Sequence, residues 1–253
     1  METQDYELVL PEIDENIEQD EEWLIINYGE RQERVKFHDY GAIYNIPGLY
    51  EELFYEQLHC KSPTVVCDLL NNTIEEMDNS INDLRVLDFG AGNGMVGDIL
   101  KSEGCDLLVG VDILPEAKNA ALRDRPNIYD NYHVMDFSNL NEVDTNVLEQ
   151  YNFNTLISVA ALGFGDISPI AFLNAYNLIE DDGIVVFNIK NKFLSDDDES
   201  GYKDIIDSIN DEYISIHHKE EYCHRLSLDG RELYYTAIVC SKIKNVDFEE
   251  IVQ

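Results

Sequence analysis

From residue 85 onward, short apolar runs alternate with amphipathic stretches. "RVLDFG" is β-branched and apolar and ends in a glycine turn, and "GMVGDILKSEG" continues at helical spacing to Gly104. "DLLVGVDI" predicts a second strand and "LPEAKNAALRDR" a helix with Pro115 near its start. "NYHVMDF" predicts a third strand and "NEVDTNVLEQY" a short helix. "FNTLISVAAL" is unbroken in its apolar character, as a strand buried on both faces reads. "PIAFLNAYNLIEDDG" predicts a helix stopping at Gly183, and "IVVFNIK" a fifth strand. Strand–helix alternation implies right-handed crossovers and a doubly wound α/β fold with a mainly parallel sheet. The ending breaks this rhythm: a helix over "GYKDIIDSINDEY" leads into two long strands about an Asp229-Gly230 turn, an antiparallel hairpin.

Upstream the pattern is less regular. Residues 1–35 form an acidic arm in which "YELVLP" and "EEWLIINYG" each read as a short strand joined by the charged "EIDENIEQDEE"; the same segment reads equally as a mobile tail. Residues 36–80 turn aromatic and helical. "IPGLYEELFYEQLHC" carries Leu49, Leu53 and Leu58 with Tyr50 and Phe54 on a helical face, and Ser62-Pro63 reads as an N-cap and first-turn proline of a helix running to about Met77. The third region, 81–253, is the α/β core.

Composition bounds the partners. With 52 acidic and 17 basic residues among 253, the net charge is −35, which repels phosphate backbones and anionic membranes; neither nucleic acid nor membrane is expected as a partner. The five cysteines (Cys60, Cys67, Cys105, Cys223, Cys240) never form C-x-x-C, which fits reduced thiols in a cytoplasmic protein without a metal site. The start lacks a signal-peptide pattern. The acidity reads either as a solubilising surface or as adaptation to a high-salt cytoplasm, where self-repulsion is screened; only ten lysines and acid spread along the whole chain favour the second.

"VLDFGAGNGMVGDIL" carries the candidate chemistry. Gly92, Gly94 and Gly97 spell the dinucleotide register G-x-G-x-x-G, whereas Asp88, Gly90, Gly92 and Gly94 spell D-x-G-x-G-x-G. Both use glycines so that backbone approaches a ligand at a helix N-terminus, and both want an acid after the second strand for ribose hydroxyls, which Asp112 supplies. Four features separate them. Asp88 at a strand end suits an amine-bearing ligand and would repel a diphosphate. The loop carries no lysine. Asp136 is placed to accept from an adenine amino group, with Phe137 to cover the ring. The sheet ends in a hairpin rather than a second mononucleotide-binding half.

These motifs, with "LLVGVDILPEA", "YHVMDF", "FNTLISVAALGF" and "LIEDDGIVVFNI", resemble class I S-adenosylmethionine-dependent methyltransferases over about residues 85–243. The resemblance implies a seven-stranded sheet of order 3-2-1-4-5-7-6. It also implies that Asp88 and the loop Gly90, Ala91, Gly92 and Gly94 hold the methionine part of the donor. Asp112 then holds the ribose, Ile113 packs on adenine, Asp136 and Phe137 finish the adenine pocket, and Ala160 faces the donor. "FHDYGAIYN" resembles a segment that lies over the cofactor in several small-molecule methyltransferases, which makes Tyr40 and Tyr44 lid residues and residues 36–80 a lid. "SVAALGFGD" departs from the N-P-P-Y tetrapeptide of enzymes that methylate base amines or glutamine amides.

The expected activity is methyl transfer from S-adenosylmethionine, leaving S-adenosylhomocysteine, to a small-molecule acceptor. No catalytic base is identified; His38 and Tyr44 are the candidates, while Asp166 reads as loop solvation and His217, His218 and His224 lack metal-ligand spacing. A donor-binding protein without catalysis and a nicotinamide-dependent oxidoreductase are the alternatives. The high-salt reading predicts a melting temperature that rises between low and molar salt; equal melting in both would overturn it.

Overall fold

The computed structural model describes residues 6–13, 17–209 and 212–248. Residues 1–5 and 14–16 of the acidic arm, 210–211 of the stretch expected as a helix over "GYKDIIDSINDEY", and 249–253 lie outside the described residues. The chain opens with a three-stranded antiparallel sheet, β1 (Glu7–Val9), β2 (Trp23–Tyr28) and β3 (Arg31–Lys36), with a 3-10 turn over Gln19–Glu21. Next come α1 (Tyr40–Tyr44), a helical turn α2 (Leu49–Glu51) that widens into a π-helix over Glu52–Gln57, and α3 (Ser62–Glu76). The core then runs β4 (Arg85–Phe89), α4 (Met95–Ser102), β5 (Leu107–Asp112), α5 (Pro115–Asp124), β6 (Asn131–Val134), α6 (Glu142–Glu149), β7 (Thr155–Ser158), α7 (Pro169–Asn177), β8 (Ile184–Lys190), α8 (Tyr202–Ser208), β9 (Ile214–Leu226) and β10 (Glu232–Lys242).

Seven strands pair in the order β6-β5-β4-β7-β8-β10-β9, with β10 antiparallel to both neighbours and the other pairs parallel. Counted within this sheet, the order is the expected 3-2-1-4-5-7-6. Alternation along each strand splits the core between two faces. Leu87, Leu156, Val185 and Phe187 pack with α7, whereas Val86, Ile157, Ile184 and Val186 pack with α3 and α4. Among the described residues no helix is long and apolar enough to cross a membrane.

Three local differences from expectation have physical reasons. β3 carries only one buried residue, Val35, so its charged sequence lacks the alternation that marks a strand. The π-turn follows from spacing: Leu49, Leu53 and Leu58 are all buried, and the step of five from Leu53 to Leu58 is bridged by a Leu58 N–H to Leu53 carbonyl bond of 3.1 Å. Ser62 lies at the start of α3 before Pro63, but its hydroxyl bonds Nδ1 of His224 and Oη of Tyr222 at 2.6 Å each instead of capping the helix.

The N-terminal sheet is docked, not free. Leu24, Ile26, Val35 and Phe37 share a buried cluster with Ile43, Leu49 and Leu53 of the helical region. Glu22, fully buried, forms a 2.5 Å ion pair with Arg225 of β9 and also accepts the Leu228 N–H. Breaking a buried pair strands the other charge in low dielectric. Glu22→Leu is therefore expected to lower the unfolding free energy by about 3–5 kcal/mol in urea titration; a loss below about 1 kcal/mol would place the pair in solvent.

Candidate active site

The glycine loop between β4 and α4 is pinned from several sides. The Gly90 and Ala91 N–H groups donate to the Val111 carbonyl at 2.9 and 3.0 Å. Asp112, at the end of β5, accepts the Gly92 N–H on one oxygen and the Leu114 N–H on the other, both at 2.9 Å. Tyr132 donates to the Gly92 carbonyl at 2.7 Å. Gly92 has φ +54, and a Cβ there would collide with the Tyr44 hydroxyl, so the loop and α1 can touch only through glycine. Burial raises the Asp112 pKa above the ordinary carboxylate value, against the backbone N–H groups of Leu114 and Gly92, which lower it.

Two cavities open at the C-terminal ends of the parallel strands. The larger, about 540 Å³, is lined by Asp112, Ile113, Leu114, Met135, Asp136, Phe137 and Ser138 on one side and by His38, Tyr40, Tyr44 and Tyr50 on the other. Five carboxylates line it (Asp39, Asp112, Glu116, Asp136, Asp166), and no lysine or arginine is among its lining residues. The smaller, about 50 Å³, is lined by Gly90, Ala91, Gly92 and Asn93 of the loop and extends to Gln19, Cys60, His224, Arg225 and Tyr235. His38, Tyr40, Tyr44, Tyr50, Gly90, Val159, Ala160 and Asp166 line both and so mark their junction.

The anticipated site residues fall as follows. Gly90, Ala91, Gly92, Asp112, Ile113, Asp136, Phe137, Ala160, Tyr40, Tyr44 and His38 all reach a cavity wall. Ile113 is 55% exposed, an apolar face presented at the rim of the large cavity. Asp136 is exposed, and the Asn139 amide and Ser138 N–H hold its carboxyl below the usual range. Phe137 is buried with its ring against Phe89 at 4.7 Å. Tyr40 and Tyr44 stack with centroids 6.1 Å apart. His38 Nδ1 lies 3.5 Å from Asp166 Oδ2, and its ring packs on Phe164.

Asp88 and Gly94 line neither cavity. Asp88 is 1% exposed on the α4 face of the sheet, where the Tyr129 hydroxyl donates to it at 2.6 Å. The ring of Tyr129 reaches it through a slot opened by Gly97 and Gly110, where added Cβ atoms would come within 2.7 and 3.0 Å of that ring. Gly97 therefore makes room for a tyrosine under the loop. Burial pushes the Asp88 carboxyl up to about 7, opposed by the Tyr129 bond and aided by the charge of Asp112.

Ala160 has φ +55, a left-handed conformation that costs an L-residue about 1–2 kcal/mol. Its N–H donates to Asn188 Oδ1 at 2.6 Å, and Asn188 Nδ2 donates to Ser62 Oγ at 2.9 Å and Tyr222 Oη at 2.6 Å. Ser62 continues this buried chain to His224. Sequence reasoning missed Gln19, His224, Arg225 and Tyr235 as cavity residues. Only the mixed apolar and polar character of the hairpin near "CHRLSL" hints that this end of β9 is covered.

A second tie joins the helical region to the loop. Glu51 accepts from Asn93 Nδ2 at 2.9 Å and from Arg125 at 2.7 Å, while Arg125 also donates to the Asn93 carbonyl at 3.2 Å.

Sheet order and glycine loop together define a class I, S-adenosylmethionine-dependent methyltransferase. Residues 59–230 match the family described as "Methyltransferase domain", and the chain belongs to that family. The N-methyltransferase NodS from Bradyrhizobium japonicum WM9, solved in complex with S-adenosyl-L-homocysteine, is similar in fold with a TM-score of 0.51, at 14% identity over 71% of this chain and 86% of its own. A Thermoplasma acidophilum protein is similar with a TM-score of 0.51, at 15% identity over 79% of this chain and 97% of its own. At these identities the likeness is one of fold. No curated protein matches the chain.

The buried Asp88 makes a signed prediction. Its folded pKa lies above its unfolded value near 3.9, so between about pH 4 and 7 the folded state holds a proton that the unfolded state has lost. Stability from this group is present at low pH and lost as pH rises through about 7. Relative to Asp88→Asn, the wild type should lose unfolding free energy over that window and run parallel above it. Parallel curves throughout, in chemical denaturation at stepped pH, would show that the carboxyl is not buried.

Proposed function

We propose that the chain transfers a methyl group from S-adenosylmethionine to a small-molecule acceptor, leaving S-adenosylhomocysteine. The observation that carries this reading is the charge of the large cavity: five carboxylates with no lysine or arginine on its walls suit a cationic sulfonium ligand and oppose a diphosphate. Its volume of about 540 Å³ suits a nucleoside-sized ligand. Each oxygen of Asp112 spends one lone pair on a backbone N–H and keeps another for a ribose hydroxyl. Ile113 and Phe137 offer apolar contact for adenine, and Asp136 an acceptor for its amino group.

Bound there, S-adenosylmethionine supplies an electrophilic methyl on a positively charged sulfur. The chain itself contributes orientation and dryness. Tyr40, Tyr44 and Ala160, at the junction of the two cavities, would hold the reacting groups in line and keep water out. Such orientation can supply about 7–11 kcal/mol of the barrier reduction. His38, with Asp166 on its Nδ1 side, is the proposed proton acceptor, and a base so oriented is a recurring arrangement. The smaller cavity, closed in by Gln19, Tyr55 and Tyr235, favours a small acceptor over a macromolecule.

Isothermal calorimetry should show S-adenosylhomocysteine binding and no heat with NAD. Asp112→Ala should weaken that binding at least about tenfold, since both the ribose acceptor and the loop clamp are lost. NAD binding in place of S-adenosylhomocysteine would reverse the reading.

A further inference from the structure

Past His38, the small chamber leads away from the glycine loop to a wall built from both ends of the chain. Gln19 is 6% exposed there; its Nε2 donates to Tyr235 Oη at 2.9 Å, and its Oε1 has no partner. A buried amide oxygen left unpaired forfeits its hydration without return. His224, its ring centre 4.1 Å from that of Tyr235, is bound through Nδ1 to Ser62. Gln19, nine-tenths buried, thus offers a free oxygen in an aromatic chamber that His224 also lines.

The charge of this chamber is equally specific. Arg225 is the one guanidinium on its wall, and Glu22 already neutralises it at 2.5 Å. Among the lining residues a carboxylate or phosphate would meet no unpaired cation; Lys190 stands behind the wall, 4.9 Å over the Phe164 ring. The net charge of −35 draws cations toward the molecule, and Asp166 lines the junction through which they would pass. At about 50 Å³, the space suits a molecule of only a few heavy atoms.

We infer that this chamber is the acceptor site and that the acceptor is a small amine, its nitrogen held between Gln19 Oε1 and the junction at His38. This rests on the donor reading above. The amine arrives as an ammonium ion and gives one proton to His38. The freed nitrogen lone pair forms the N–C bond as the methyl–sulfur bond breaks, and that bonding pair stays on sulfur as a neutral thioether. The product leaves as a methylated ammonium ion. Gln19 Oε1 accepts an N–H that remains on nitrogen throughout. An imidazole takes a proton from an ammonium far more readily than from an alcohol, so the same walls disfavour a hydroxyl acceptor.

The test uses the full chain and Gln19→Leu, with S-adenosylhomocysteine calorimetry as a control for folding and the donor site. Methyl transfer from S-adenosylmethionine is then followed by mass spectrometry to methylamine, dimethylamine and ethanolamine, with acetate and glycerol as contrasts. At least one amine should be methylated, with Gln19→Leu raising its KM at least about tenfold and moving S-adenosylhomocysteine affinity less than about twofold. Should Gln19→Leu lose donor-product binding, Gln19→Glu carries the test: a carboxylate at the same place should lower KM for the same amine. Wild-type protein that binds S-adenosylhomocysteine but methylates none of the amines overturns the inference. So does methylation of acetate or glycerol instead, or a KM that neither variant moves. Wild-type protein that fails to bind S-adenosylhomocysteine removes the donor reading itself, a separate result.

Discussion

Glu22 against Arg225 is the contact on which the upper part of the molecule depends. Both side chains are withdrawn from water, so each is tolerable only while the other is in place. That requirement holds the segment from Gln19 to β2 against β9. It also fixes the electrostatics of the chamber below, since a guanidinium that would otherwise attract anions is silenced by its own chain. The Arg225 guanidinium lies 5.7 and 5.8 Å from the ring centres of Phe37 and Phe54, which ties the ion pair to the apolar cluster under α1 and the π-turn.

A second set of contacts joins the rim shared by the two cavities to the C-terminal hairpin. Ala160 keeps its strained backbone because Asn188 accepts its N–H, and Asn188 is in turn held by Ser62 and Tyr222. Burial and the nearby Arg225 and Lys190 charges keep His224 well below its ordinary pKa, so it is a neutral ring in this chain. Ser62, Asn188 and His224 are buried while Ala160 and Tyr222 are half-buried, which makes the network a strut between the end of β7 and the C-terminal hairpin.

What could be read in advance divides by sequence distance. The sheet and its order follow from local runs such as "RVLDFG" and "IVVFNIK" together with the motif resemblance, and residues at strand ends, Asp112, Asp136 and Ala160, need only their strand to be found. Asp88 shows the limit: its motif is visible, but its burial depends on Tyr129 threading between Gly97 and Gly110, a packing event that no spacing announces. The π-turn was visible in principle as the step from Leu53 to Leu58. The acceptor wall was not, because Gln19 and Tyr235 stand 216 positions apart and Ser62 and His224 stand 162 apart. Nothing short of the folded hairpin brings them together.

That separation has a consequence for how the protein comes into being. During synthesis the glycine loop, β5 and β6 emerge first, then β7 and the residues after it that finish the large cavity's wall, and last the hairpin. Gln19 meets Tyr235 only after β10 exists. A nascent chain can thus complete the walls of the large cavity, which end at Ala171, before those of the small one, which need Tyr235. Selectivity arrives last, with the strand that closes the sheet.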